Sequence, residues 1–170
     1  MFVFGTAEDV FTMAVRIEEN GHAFYSGAAE KATDQETKKL FEQLATMEAN
    51  HIKAFKSLRS SLPEDALSPE VWDPEGLAES YLQASADTHI FTHETAGSRL
   101  KNVNSTQEAI TMAIQFEKDS VAFFLGMKEI LPDPKGKSEI DQLIKAEMEH
   151  VRMLTLTARN LSESDVAGIA

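Results

Sequence analysis

Apolar residues recur along this chain at helical spacing, and proline and glycine interrupt the pattern in only a few places. Phe11, Ala14, Val15, Tyr25 and Ala29 share one face of a stretch from about Ala7 to Lys31, and Glu18 lies on that same face. Leu40, Phe41, Leu44, Met47, Ala54, Phe55 and Leu58, joined by His51, do likewise between Thr33 and about Ser60. Thr6 with Asp9, and Thr33 with Glu36, have the spacing of helix-capping boxes. A third amphipathic stretch opens at Ser105-x-x-Glu108 and runs to about Ile130, where Leu131-Pro132-Asp133-Pro134 breaks it. Pro134 suits the first position of a last helix, capped by Asp133 and reaching about Arg159. Residues 161–170 read as a frayed tail. Short links within each pair predict two antiparallel helical hairpins, at about 7–60 and 105–159.

Residues 62–104, between the hairpins, are too many for a plain loop in a compact domain. Leu77, Tyr81, Ala84, Ser85 and Ile90 have helical spacing and predict a short crossover helix there. Strand patterns are lacking. The expectation is an all-α protein, a four-helix bundle forming a single domain over residues 1–170.

The second half repeats the first at a constant offset of 99 residues. Thr12-Met13-Ala14 returns as Thr111-Met112-Ala113, Ala23-Phe24 as Ala122-Phe123, Gly27 as Gly126, and Gln43-Leu44 as Gln142-Leu143. Tyr25 pairs with Phe124. The same offset carries Glu18, Glu48 and His51 onto Glu117, Glu147 and His150. Matched hairpins imply a pseudo-two-fold axis, across which the two sets of chemical groups face each other.

Composition narrows the chemistry. Without cysteine the chain has no disulfide, thiolate zinc site, iron–sulfur cluster or cysteine nucleophile. A net charge of −12 argues against binding a nucleic acid backbone. No apolar run is long enough to span a membrane, and Met1-Phe2-Val3-Phe4-Gly5 is too short for a signal sequence, so a cytoplasmic location is expected.

Glu-x-x-His places both side chains on one helical face, so Glu48 with His51, and Glu147 with His150, can each reach one metal. Glu18 and Glu117 sit mid-helix among apolar residues, Ile17 and Phe116 included. A carboxylate aimed into an apolar core is very costly unless it is paired or binds metal. Four of them together repel, and metal cations resolve the conflict. Mixed oxygen and imidazole donors suit iron, manganese or zinc.

Other residues read more plainly. His22 has Val121 as its repeat counterpart and is expected at the surface or beside the site. His89 and His93 have zinc-compatible spacing but fall in the crossover, where an exposed segment is the simpler expectation. Trp72 is expected to anchor the crossover. Met13, Met47, Met112, Met127 and Met148 read as core.

The paired Glu and Glu-x-x-His set resembles that of ferritin-like di-iron and di-manganese carboxylate proteins. More narrowly, Ala14-x-x-x-Glu18-x-x-Gly21-x-x-Phe24-Tyr25 resembles the first helix of the rubrerythrins, and Phe116-Glu117-Lys118-Asp119-Ser120-Val121-Ala122-Phe123-Phe124 resembles their third. The likeness covers both hairpins and fades across the crossover. It implies a ferritin-like bundle holding two metal ions, iron first, with manganese or zinc as alternatives. It further implies that Glu48 and Glu147 bridge the metals, that Glu18 and Glu117 are terminal ligands, and that His51 and His150 each bind one ion. The implied reaction is reduction of hydrogen peroxide or dioxygen; the alternative is iron or zinc binding without turnover, or iron handling. Two departures stand out. Rubrerythrins carry a cysteine-rich electron-delivering domain, so a chain lacking cysteine implies a separate donor protein. They also place a further Glu three residues after the third-helix ligand, where this chain has Ser120. Tyr25, on the Glu18 face, is expected either to hydrogen-bond near the site or relay an electron, or simply to pack with its hydroxyl satisfied. A homodimer exchanging the crossover is compatible with its length.

Overall fold

The computed structural model describes residues 7–61, 76–88, 100–129 and 134–167. These residues form α1 (Ala7–Lys31), α2 (Gln35–Ser61), α3 (Leu77–Thr88), α4 (Thr106–Glu129) and α5 (Pro134–Ala167), with no strand among them. The four-helix bundle is α1, α2, α4 and α5, and α3 is the crossover helix. Thr6, His89, His93, Trp72, Ile90 and Asp133 lie outside the described residues.

Local chemistry sets the helix ends. Asp34, rather than Thr33, caps α2: its Oδ1 accepts the backbone N–H of Thr37 at 2.7 Å. That hydrogen bond also holds the Asp34 carboxyl below the usual aspartate range. The box expected one residue earlier fails because Asp34 directly precedes Gln35 and reaches the open N–H first. At α4 the expected Ser105 cap forms, accepting the Glu108 N–H at 3.1 Å. Glu108 returns the bond one residue further out, to the N–H of Asn104 at 2.8 Å. Pro134 opens α5 as expected. That helix continues to Ala167, eight residues beyond Arg159, where a frayed tail was expected. Leu161 extends the apolar stripe against the core, and the next glycine or proline is Gly168.

Both hairpins are antiparallel. Late residues of α2 meet early residues of α1: Lys56 pairs with Glu19 at 3.1 Å and Arg59 with Glu8 at 3.8 Å. Lys128 of α4 and Asp141 of α5 do the same at 2.8 Å. These pairs are partly or well exposed, so they contribute little stability. Packing supplies far more. Phe11, Phe24, Tyr25, Phe41, Phe55, Phe116, Phe123 and Phe124 are fully buried. Between hairpins, the Tyr25 ring meets Phe116 edge-on at 6.2 Å, and Phe55 meets Phe124 at 4.8 Å. Met13 and Met127 are core, as expected, but Met148 is 58% exposed. It follows Glu147 directly, and a residue adjacent to an inward ligand turns about 100° away along a helix.

Two glycines allow close approach. A Cβ on Gly21 would lie 2.6 Å from Cζ of Phe116, so the absence of a side chain lets that ring fill the α1–α4 contact. Gly126 likewise receives the ring of Tyr81 from α3, whose hydroxyl donates to the Ala122 carbonyl at 2.8 Å.

Candidate metal centre

Each of the four bundle helices delivers its predicted residues to one point. Glu18 comes from α1, Glu48 and His51 from α2, Glu117 from α4, and Glu147 and His150 from α5. All four carboxylates and His150 are fully buried, and His51 is 8% exposed. Their donor atoms fall into two overlapping groups that could each hold an ion: Glu18, Glu48, His51 and Glu147, and Glu48, Glu117, Glu147 and His150. Glu48 and Glu147 belong to both. The repeat exchanges the two groups, since Glu18 maps to Glu117 and each shared Glu maps to the other.

The distances are those of convergence on a common centre. Nδ1 of His51 lies 2.7 Å from Glu147, 3.4 Å from Glu18 and 3.9 Å from Glu48. Nδ1 of His150 lies 2.9 Å from Glu147 and 3.3 Å from both Glu48 and Glu117. The imidazoles stack with centroids 5.4 Å apart and planes 16° from parallel.

Close as they are, these atoms are not aligned as hydrogen bonds. Both oxygens of Glu18, Glu48 and Glu147, one of Glu117, and Nδ1 of both histidines are buried without a hydrogen-bond partner. Orphaned polar atoms of this kind are strongly disfavoured in a folded core. A pair of cations would satisfy these oxygens and both Nδ1 atoms, leaving only Nε2 of His150 without a partner, so the donor set fits a dinuclear metal site.

Electrostatics agree. Burial, and then the charge of Glu147, pushes the Glu18 and Glu117 carboxyls well above the ordinary range. Burial and the charge of Glu18 do the same to Glu48. Burial also acts against the ionised form of Glu147, yet its contacts with His150 and His51 outweigh it and hold this carboxyl low. Both imidazoles are raised, because neighbouring carboxylates, Glu147 at His51 and Glu117 first at His150, overcome the effect of burial. Without cations, protons shared within the cluster relieve its charge. Metal binding must displace them.

Tyr25 is fully buried and its hydroxyl donates to Oε1 of Glu117, so it touches the cluster and packs as core at once. Burial and the charge of Glu117 push its phenol well above the usual tyrosine range. Ser120 is buried, with its hydroxyl donating to the Phe116 carbonyl at 3.0 Å. His22 is exposed. Sequence reading overlooked the fit of Phe116 into Gly21; the repeat pairs Gly21 with Ser120, and that mismatch was the available signal.

The model of the family described as Rubrerythrin matches residues 9–158. Among solved structures, a candidate ferritin-like diiron-carboxylate protein from Thermotoga maritima superposes with a TM-score of 0.73 at 24% identity, covering 94% of this chain and 98% of that one. That likeness establishes the fold as ferritin-like. No curated protein matches. No helix among the described residues is long and apolar enough to cross a membrane.

Proposed function

This chain belongs to the rubrerythrin family, and from that premise we propose that it is a di-iron oxidoreductase that reduces hydrogen peroxide or dioxygen. The observation that supports this most is the sharing of Glu48 and Glu147 between two ligand groups otherwise built from separate residues. Two redox-active ions held side by side can each supply one electron to an oxygen–oxygen bond and stabilise both oxygens.

The chain's own residues have distinct tasks in this reading. Glu48 and Glu147, common to both groups, would hold both ions; Glu18 with His51 and Glu117 with His150 would each complete one ion's ligand set. Iron is favoured, and manganese or zinc fits the same donors. Tyr25 holds Glu117 in place through its hydroxyl and keeps a proton beside the cluster. Phe24, Phe41 and Phe116, packed around the Tyr25 ring, keep bulk water from this side of the cluster. Reducing peroxide to two waters consumes two protons and two electrons. These residues hold no cysteine for an iron–sulfur or rubredoxin-type group, so in this reading the electrons are supplied from outside this domain, by a donor protein.

Rapid mixing of the anaerobic ferrous protein with hydrogen peroxide tests this. Near-ultraviolet absorbance of the oxidised centre should rise within the mixing experiment, and no fast rise would remove the redox role. Metal binding without turnover is the other reading. A storage role additionally needs a large closed shell, which sedimentation would reveal.

A further inference from the structure

We infer that the two metal positions are unequal: the His51 position exchanges its ion readily, and the His150 position retains it. The inference rests on the dinuclear reading above and concerns how this chain breaks the symmetry of its own repeat.

Two independent observations point the same way. The first is access. His51 is 8% exposed, whereas His150 and all four carboxylates are at 0%. An ion bound by His51 therefore has one ligand with a small edge open to solvent, its Nδ1 remaining buried. Water or a chelator meets that edge before any other ligand of the cluster. His150 is enclosed, so an ion there can be reached only by opening the core.

The second observation is restraint of the terminal carboxylate. Oε1 of Glu117 accepts the hydroxyl of Tyr25. Neither oxygen of Glu18 has a hydrogen-bond partner. The repeat counterpart of Tyr25 is Phe124, which has no hydroxyl to give. A hydrogen bond to a carboxylate is among the stronger ones, so Glu117 can leave its ion only by breaking it. Groups that orient a ligand in this way typically change metal affinity 10- to 100-fold when removed. Glu18 lacks this restraint. The less enclosed histidine and the glutamate without a hydrogen bond belong to one ligand group, and the fully enclosed histidine and the tethered glutamate to the other.

Cobalt(II) alone, added to the full metal-free chain, provides the probe. Two equivalents should bind. Excess chelator should then remove them in two phases of equal amplitude, with rate constants at least about tenfold apart. Tyr25→Phe should accelerate the slow phase by about tenfold and leave the fast one unchanged. Crystals grown with one equivalent of cobalt should place the anomalous signal beside His150 and Glu117, a readout that needs no variant. Two ions leaving at a single rate, a one-equivalent signal beside His51, or a Tyr25→Phe effect confined to the fast phase would each overturn the inference while leaving the dinuclear site intact. Failure to bind a second cobalt under any loading would remove the dinuclear reading and this inference with it.

Discussion

The two hairpins carry the same ligands at the same register, yet they surround them differently. Hairpin one offers Glu18 without a hydrogen bond and His51 with a small solvent-facing edge; hairpin two offers Glu117 bonded to a phenol and His150 enclosed. The tie itself crosses between them, since Tyr25 of hairpin one serves Glu117 of hairpin two. At Gly21 the first hairpin gives up a side chain, and Phe116 of the second fills the gap; at the matching Ser120 a side chain is kept. The shared carboxylate and imidazole donors are what one pair of cations would require of both halves. The surroundings are free to diverge, and the inferred difference in ion exchange follows from that divergence.

The strongest way to break the comparison is at the shared residues. Glu48→Gln and Glu147→Gln should behave alike, each weakening both metal positions by more than about 100-fold, because each carboxylate serves both groups. Glu18→Gln and Glu117→Gln should each weaken one position only, as read by cobalt stoichiometry. Removing metal from the native chain should lower the melting temperature substantially. At a free-metal concentration about 1,000 times Kd one site contributes about 4 kcal/mol, or about 10 °C for 170 residues. An unchanged melting temperature after chelation would contradict the need for cations.

Proton competition sharpens the same point. Glu18, Glu48 and Glu117 have raised carboxyls in the metal-free fold. Groups raised on folding favour the fold below their unfolded value and lose that contribution as pH rises through the folded one. For these carboxyls the loss begins above the ordinary 4.5, and for the raised His51 and His150 above 6.5. Glu147 runs the other way, contributing above 4.5 and losing its effect only well below it. The metal-free protein should therefore melt lower at pH 8 than near pH 5.5, and the gain from metal should grow over that interval. Thermal melts with and without chelator at several pH values check this, and a gain that shrinks with rising pH would contradict it.

Packing differences between the halves give smaller effects. Gly21→Ala should cost about 1–3 kcal/mol by overpacking against Phe116, with Glu48 Oε2 also only 3.3 Å from the new methyl. Ser120→Ala at the matching position should cost about 1 kcal/mol, the worth of one hydrogen bond. Gly126→Ala collides with the Tyr81 ring and should cost about 1–2 kcal/mol, whereas Gly27→Ala meets only the flexible end of Leu100 at 2.8 Å and should cost less. Denaturant midpoints of the four variants test the ranking, and equal losses at Gly21 and Ser120 would undo it.

Much of this was legible in the chain. Helical periodicity placed α1, α2, α4 and α5 within a few residues of their ends, apart from the far end of α5. Glu-x-x-His spacing is a local property, and the 99-residue repeat paired the halves without any knowledge of distance. Caps were legible only to within a residue, because Thr33 and Asp34 are both competent and their order along the turn decides between them. Met148 looked like core because apolarity alone does not report which way a helix is rotated.

The sequence by itself determined the all-α architecture, the two matched hairpins and the four carboxylates and two imidazoles that meet inside them. These follow from periodicities and spacings that act over a turn or two of helix. Only the tertiary structure decided that Tyr25 reaches Glu117, 92 residues away, that Phe116 fills the gap at Gly21, and that His51 touches solvent while His150 does not. Those outcomes depend on how helices distant in sequence are rotated and offset against one another. Each contact is a sum over many packed neighbours, and no local pattern encodes it.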